Sequence, residues 1–207
     1  MGLWIDHHPL VLASKSEVRR GVLAAAGIPL ELAPADIDER GIAARAALSD
    51  PGEIAALLAR EKARAIAARF PGRLVLGADQ TLALGERVFS KPDDLDGARA
   101  QLKLLRGQTH ALHAAIALVR QDAGGAAKVV FEHVAVARLT MRDFSDRFLD
   151  AYLVAAGSAV TASVGAYQVE KLGIQLFEHI EGDHFTILGL PLIPLLDVLR
   201  REGCLAA

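Results

Sequence analysis

The chain has 207 residues, 52% of them hydrophobic, with a mean hydropathy of +0.30 and a formal net charge of −2. This supports a sizeable core and disfavours a dedicated nucleic-acid surface. The lone Cys204 excludes an intrachain disulfide, no apolar run is long enough for a membrane helix, and Met1–His8 lacks a signal-peptide pattern, so a cytoplasmic protein with neither nucleic-acid nor membrane partner is expected.

Leu10–Ala13 reads as a first strand. Ser14-Lys15-Ser16 follows, with Ser16 as N-cap of a helix that Gly27 and Pro29 terminate. Arg19 and Arg20 lie in the first turn of that helix. Cations there oppose the helix dipole, unless an anion docks at the helix start. Solvated surface arginines are the alternative. Neither a Walker loop nor a dinucleotide fingerprint is present. Leu30–Ala33 reads as a second strand, followed by an acidic loop containing Asp36, Asp38 and Glu39. Such a cluster can hold a hard cation or be a solvated turn. Asp50-Pro51-Gly52-Glu53 is a strong helix start, and that helix runs to about Arg69. Lys62 sits on its apolar side, where it either snorkels to water or points into a cleft.

Leu74-Val75-Leu76 reads as a buried strand, after which Gly77 and Ala78 make room for Asp79 at the expected strand end. Leu82–Phe89 folds back around Gly85-Glu86 as a hairpin, and Ser90-Lys91-Pro92 leads to a helix with Leu95, Ala98, Leu102 and Leu105 on its stripe. Lys91 suits a phosphate contact, and an ordinary surface lysine fits equally well. Two long strands, Gln108–Val119 and Lys128–Leu139, precede a helix from near Ser145 to Ala156. Gly165–Glu170 reads as an irregular loop. Ile174–Ile180 and Phe185–Leu188 are expected to pair as a hairpin before the last helix, which starts at Gly189-Leu190-Pro191. The histidines are too scattered for a zinc site.

These fragments, in this order, resemble the Maf family, the septum-formation-inhibitor-like proteins associated with nucleoside triphosphate pyrophosphatase activity. The carrying residues are Leu12–Arg20, Asp38-Glu39, Glu61-Lys62-Ala63, Gly77-Ala78-Asp79-Gln80, Lys91-Pro92, Gly165-Ala166-Tyr167 and Gly189-Leu190-Pro191. The match covers roughly 10–203 of a single Maf-like domain, 1–207. The resemblance implies an α/β fold of the Maf and inosine-triphosphatase type: an extended mixed sheet flanked by helices, with two lobes around a central cleft. It implies hydrolysis of a nucleoside triphosphate to monophosphate and pyrophosphate, a divalent cation (magnesium, with manganese as an alternative) and a homodimer. On that footing Ser14, Ser16, Arg19 and Arg20 bind the triphosphate. Lys62 and Lys91 neutralise its remaining charge. Glu39 and Asp79 share the metal, and Asp79 orients or deprotonates the attacking water.

Three positions bear on the base, here Val18, Gln80 and Glu170. Gln80 and Glu170 match the family's 7-methyl-GTP subtype, whereas the dTTP/UTP subtype typically has Arg, Thr and Gln at the three positions. A carboxylate suits guanine, which offers adjacent N–H donors on its Watson–Crick edge, better than uracil, which flanks its one ring N–H with carbonyls. Val18 departs from both subtypes, since it offers no ring on which a cationic methylated base would stack. A house-cleaning enzyme acting on 7-methyl-GTP or a related purine is the leading expectation. The alternatives are a dTTP/UTP pyrophosphatase and a nucleotide-binding regulatory partner in cell division.

Overall fold

The computed structural model describes residues 2–206. The described chain forms seven strands and eight helices. In order they are β1 (Leu10–Leu12), α1 (Glu17–Ala25), β2 (Leu30–Leu32), α2 (Glu39–Ala46), α3 (Pro51–Ala67), β3 (Leu74–Leu84) and β4 (Arg87–Phe89). They continue with α4 (Leu95–Leu105), β5 (Thr109–Gln121), β6 (Ala127–Met141), α5 (Asp146–Ala156), α6 (Ala159–Ala162), β7 (Phe177–Glu181), α7 (His184–Ile187) and α8 (Leu192–Arg201). The strands hydrogen-bond in the order β2-β1-β3-β5-β6-β7, with β4 paired to β3. The sheet is mixed: β1 is parallel to β2 and β3, whereas β3–β4 and β6–β7 are antiparallel. The expected α/β class and its helix-flanked mixed sheet are therefore present.

Contacts divide the chain into two compact units, 1–80 with 114–135 and 189–207, and 81–113 with 136–188. In the first, α3 turns an alanine-rich face to the sheet. Ala63, Ile66 and Ala67 pack on Val11, Val75 and Val119, while Ala55, Ala56 and Ala59 meet Ala115 and Ala117. Small side chains let helix and strand backbones approach closely. At Gly77 a Cβ would stand 2.0 Å from the Ala59 carbonyl oxygen, so only glycine fits beneath α3. In the second unit, Leu102 and Leu105 of α4 and Leu149 and Leu153 of α5 pack against Leu112, Leu139 and Met141.

Several elements differ from the sequence expectation. β3 does not stop before Asp79 but runs on to Leu84, so Asp79 is a mid-strand residue. The acidic loop contains a helix: Asp38 accepts a hydrogen bond from the Gly41 amide and caps α2, which starts at Glu39. The alanines that follow make that helix cheap to form. Phe185–Leu188 is not a strand. Asp183 caps the Thr186 amide and the segment closes into α7. Ile174–Leu176 is the latter part of a 3₁₀ turn, Leu172–Leu176, so β7 starts only at Phe177.

Candidate active site

Of the charged residues singled out in the sequence, Arg19, Arg20, Glu39, Lys62 and Asp79 belong to the first unit. Lys62 and Asp79 are 9% and 8% exposed. The Lys62 Nζ donates to Asp79 Oδ1 at 2.5 Å and lies 3.0 Å from Glu39 Oε2. Gly77 makes this possible. It shares a strand face with Asp79, two residues on. Its missing Cβ lets α3 settle onto β3 at Ala59 and Ala63, the neighbour of Lys62. Lys62 therefore points inward and does not snorkel. Burial pushes the Asp79 carboxyl above the ordinary carboxylate range; Lys62 and Arg19 pull it back, and Glu39 adds to the rise.

Arg19 and Arg20 are neighbours on α1 but take different roles. The Arg19 Nε donates to the Gly189 carbonyl at 2.8 Å. Its Nη1 donates to the Ala78 carbonyl at 2.8 Å and reaches the Ser14 hydroxyl at 3.4 Å. Arg19 thus ties the start of α1 to the backbone beside Asp79 and to the turn before α8. Gly189 has φ +79°, and a Cβ there would meet Arg19 Nη2 at 3.1 Å and Gln80 Oε1 at 3.4 Å. Arg20 lies on the outside, paired with Glu17 at 3.3 Å, so the acid beside the expected phosphate pocket turns to Arg20. Ser16 caps α1 by accepting from the Arg19 amide, and Ser14 accepts from the Ser16 amide. Ser14, Ser16 and Arg20, with Lys15 and the acid Glu17, line a concavity of about 200 Å³ at the start of α1.

Val18 is half-buried on α1, and Gln80 follows Asp79 on β3. Lys91 and Glu170 belong to the second unit, both exposed, Lys91 between β4 and α4 and Glu170 in the turn before the 3₁₀ segment. Asp36, the other loop acid, is fully exposed 4.0 Å from Lys15.

A divalent cation fits the donor set. Two carboxylates from different elements already converge on one ammonium, so the pair is arranged around a positive charge. Among the described residues, no group of three or more His, Cys, Asp or Glu forms a self-sufficient metal site. A hard cation such as magnesium takes one or two protein carboxylates and the rest of its oxygens from water and substrate.

Residue types alone did not reveal the carbonyls of Ala78 and Gly189, which hold Arg19. Backbone acceptors carry no side-chain signature. The one signal was indirect: two adjacent arginines in a helix's first turn need separate anions or acceptors.

The family description that matches the chain is Maf-like protein, over residues 9–202. The chain belongs to the Maf family. It is 57% identical over 206 residues, all of both chains, to a Rhodopseudomonas palustris (strain BisB18) protein named nucleoside triphosphate pyrophosphatase. It is 58% identical over the same span to a Bradyrhizobium diazoefficiens protein of that name. A Brucella abortus protein named 7-methyl-GTP pyrophosphatase is 48% identical over 198 residues, 95% of this chain and 97% of that one. Among the described residues of this Maf protein, no helix is long and apolar enough to cross a membrane.

Proposed function

We propose that this Maf protein hydrolyses a nucleoside triphosphate to the monophosphate and pyrophosphate, with 7-methyl-GTP or a related purine nucleotide preferred. The observation that carries the reading is the buried Lys62 held between Asp79 and Glu39, with Arg19 bonded to the carbonyl next to Asp79. A scaffold gains nothing from burying Asp79 with Lys62, because desolvating charge is costly, and the half-exposed Glu39 and partly buried Arg19 complete the cluster. An enzyme that must handle a polyanion uses all four.

The triphosphate lies at the start of α1, where Ser14, Ser16, Arg20 and the helix amides offer donors. Lys91 adds positive charge to the tail. Asp79 orients a water and accepts its proton on a carboxylate oxygen. The water oxygen bonds to the α-phosphorus, the bond from that phosphorus to the α,β-bridging oxygen breaks, and pyrophosphate departs. Lys62 and Arg19 stabilise the charge that builds on the phosphate oxygens and on Asp79's surroundings. Asp79 and Glu39 are the ligands for a divalent cation, magnesium or manganese, which when bound supplies further neutralisation of phosphate charge. Arg19 also fixes the geometry. Its two carbonyl bonds leave it less free to follow a moving phosphate than its position in the sequence implies.

The base is selected by Glu170 and Gln80. Glu170 accepts from adjacent guanine N–H donors, and the 7-methyl-GTP pyrophosphatase relative supports a purine. Val18 gives a smaller, aliphatic surface where an aromatic ring would stack on a methylated base, so discrimination between GTP and 7-methyl-GTP rests on the carboxylate and on the base's own positive charge.

The test is pyrophosphate release with magnesium from 7-methyl-GTP, GTP, ITP, CTP, UTP and dTTP. Turnover led by 7-methyl-GTP supports the reading. A lead for UTP and dTTP overturns the base assignment while leaving the reaction intact. No release from any nucleotide overturns the reaction itself.

A further inference from the structure

The second unit contains a buried polar pair outside the charged cluster. His110, near the start of β5, is 1% exposed. Its Nε2 lies 2.7 Å from the Tyr167 hydroxyl. Its Nδ1 has no hydrogen-bond partner. A leucine would fill this space without leaving a nitrogen unsatisfied, so what the histidine adds is the bond to Tyr167. Burial lowers the ring's pKa to about 4 and raises that of Tyr167, so both partners stay neutral at physiological pH. The contact is an uncharged hydrogen bond in a dry setting, where geometry decides its strength.

Tyr167 sits at the joint of an irregular segment. Before it, Gly165 and Ala166 are both left-handed, with φ 79° and 62°. For alanine that conformation is strained and persists only where the surroundings over-determine it. They do so here. The Tyr152 hydroxyl donates to the Ala166 carbonyl at 3.1 Å. The Tyr167 ring stands edge-on to Phe177, with centroids 4.9 Å apart. A Cβ on Gly165 would lie 2.6 Å from both Leu82 Cδ1 and the Tyr167 ring. After Tyr167 comes a short turn in which the Lys171 amide donates to the Gln168 carbonyl at 3.1 Å. Gly173 packs under that turn so closely that a Cβ would fall 2.5 Å from the Gln168 carbonyl oxygen. Glu170 is the third residue of the turn. Its backbone is thus pinned at one end by Tyr167 and at the other by Gly173.

We infer that the His110–Tyr167 hydrogen bond is a positioning lock for the turn Gln168–Lys171, which makes His110 and Tyr167 specificity-determining residues that touch no substrate. The inference rests on the reading of Glu170 as the acceptor for the base edge. Carboxylate recognition of two adjacent N–H donors needs the carboxyl plane set accurately, whereas hydrolysis uses Asp79, Lys62 and Arg19, none of which belongs to that turn. Loosening the turn therefore erodes discrimination between bases before it erodes turnover.

Four variants test this: Tyr167→Phe, which removes only the hydroxyl; His110→Leu, which removes the partner of that hydroxyl; His110→Gln, which can restore one hydrogen bond to it; and Glu170→Gln as reference. Two quantities are read, amide hydrogen exchange in 168–171 and the ratio of kcat/KM for 7-methyl-GTP over UTP. In Tyr167→Phe, exchange in the turn speeds up by about tenfold or more. The ratio falls by about tenfold, with kcat for the preferred substrate within about threefold of wild type. His110→Gln recovers part of the ratio relative to a His110→Leu variant. Unchanged exchange in Tyr167→Phe overturns the lock. Faster exchange with an unchanged ratio, while Glu170→Gln abolishes discrimination, overturns its role in specificity. A ratio insensitive to Glu170→Gln overturns the base-edge reading, and the specificity role falls with it. Uniform loss of thermal stability with both quantities unmoved means a purely structural pair and also overturns the inference.

Discussion

Asp79 carries its charge where burial opposes ionisation, and only Lys62 and Arg19 make the carboxylate tolerable. For a carboxyl whose folded pKa lies above the unfolded value, ionisation at neutral pH weakens the fold relative to the neutral group. Asp79→Asn removes the charge and keeps the shape, and Lys62 retains Glu39 at 3.0 Å. The expected outcome is loss of pyrophosphate release by about a thousandfold, with a melting temperature at pH 7 equal to or above wild type. A thermal scan beside the activity assay checks both. A clear drop in melting temperature would mean that the Lys62 pair stabilises the fold more than burial of the carboxylate weakens it. Residue types single out Asp79, Lys62 and Glu39, each beside an ordinary alternative (a turn cap, a snorkelling lysine, a solvated loop), and the structure brings the three together. What the types could not tell was who pairs with whom. Arg19 reads as a phosphate ligand, and no residue type announces the two backbone carbonyls that its guanidinium also holds.

Elements of this fold are placed by what is missing from their surfaces. Gly77 lacks a Cβ where Ala59 and Ala63 of α3 press on β3, and this close approach delivers Lys62 to Asp79. Gly77→Ala forces backbone to move, since the clash is with a carbonyl oxygen and not with a flexible tip. Such overpacking costs about 1–3 kcal/mol, and the shift of α3 separates Lys62 from Asp79. The variant is expected to melt several degrees lower and to lose most of its activity. Gly21→Ala is the control. Gly21 lies on an exposed face of α1, with nothing within 4 Å of where its new methyl group would stand, so the same substitution stabilises by about 0.5–1 kcal/mol through helix propensity. Calorimetry on the two variants should give opposite signs. The longer elements, α3, α4 and the β5 and β6 strands, were legible because periodicity accumulates over many residues. The failures are short. α2 is hidden because Asp36, Asp38 and Glu39 look like a solvated turn, although Asp38 is a helix cap. α7 is hidden because a run of aromatic and β-branched residues favours a strand, until a single Asp183 cap decides for a helical turn.

Over the whole molecule, the buried Lys62–Asp79 pair belongs to one unit and the neutral polar lock to the other, and Asp79 and His110 respond to acid with opposite signs. His110 has a pKa of about 4 in the folded chain against 6.5 for a free histidine. Above 6.5 neither the folded nor the unfolded chain protonates it, and its neutral burial is without pH dependence. As pH falls from 6.5 towards 4 the unfolded chain takes a proton that the folded chain refuses, so stability declines through that window and levels off below it. The full gap corresponds to roughly 3 kcal/mol. Asp79 works the other way, because its folded carboxyl takes up a proton more readily than the unfolded one as pH falls. The contributions separate by subtraction, since a His110→Gln chain still contains Asp79. Urea unfolding of wild type and His110→Gln at intervals between pH 7 and 4.5 is therefore expected to give midpoints that converge as the pH is lowered, with wild type losing more. Parallel midpoint curves would mean that His110 is solvated enough to titrate normally in the folded chain. The hydrogen bond to Tyr167 would then stand in a wet pocket and would hold its turn far less firmly.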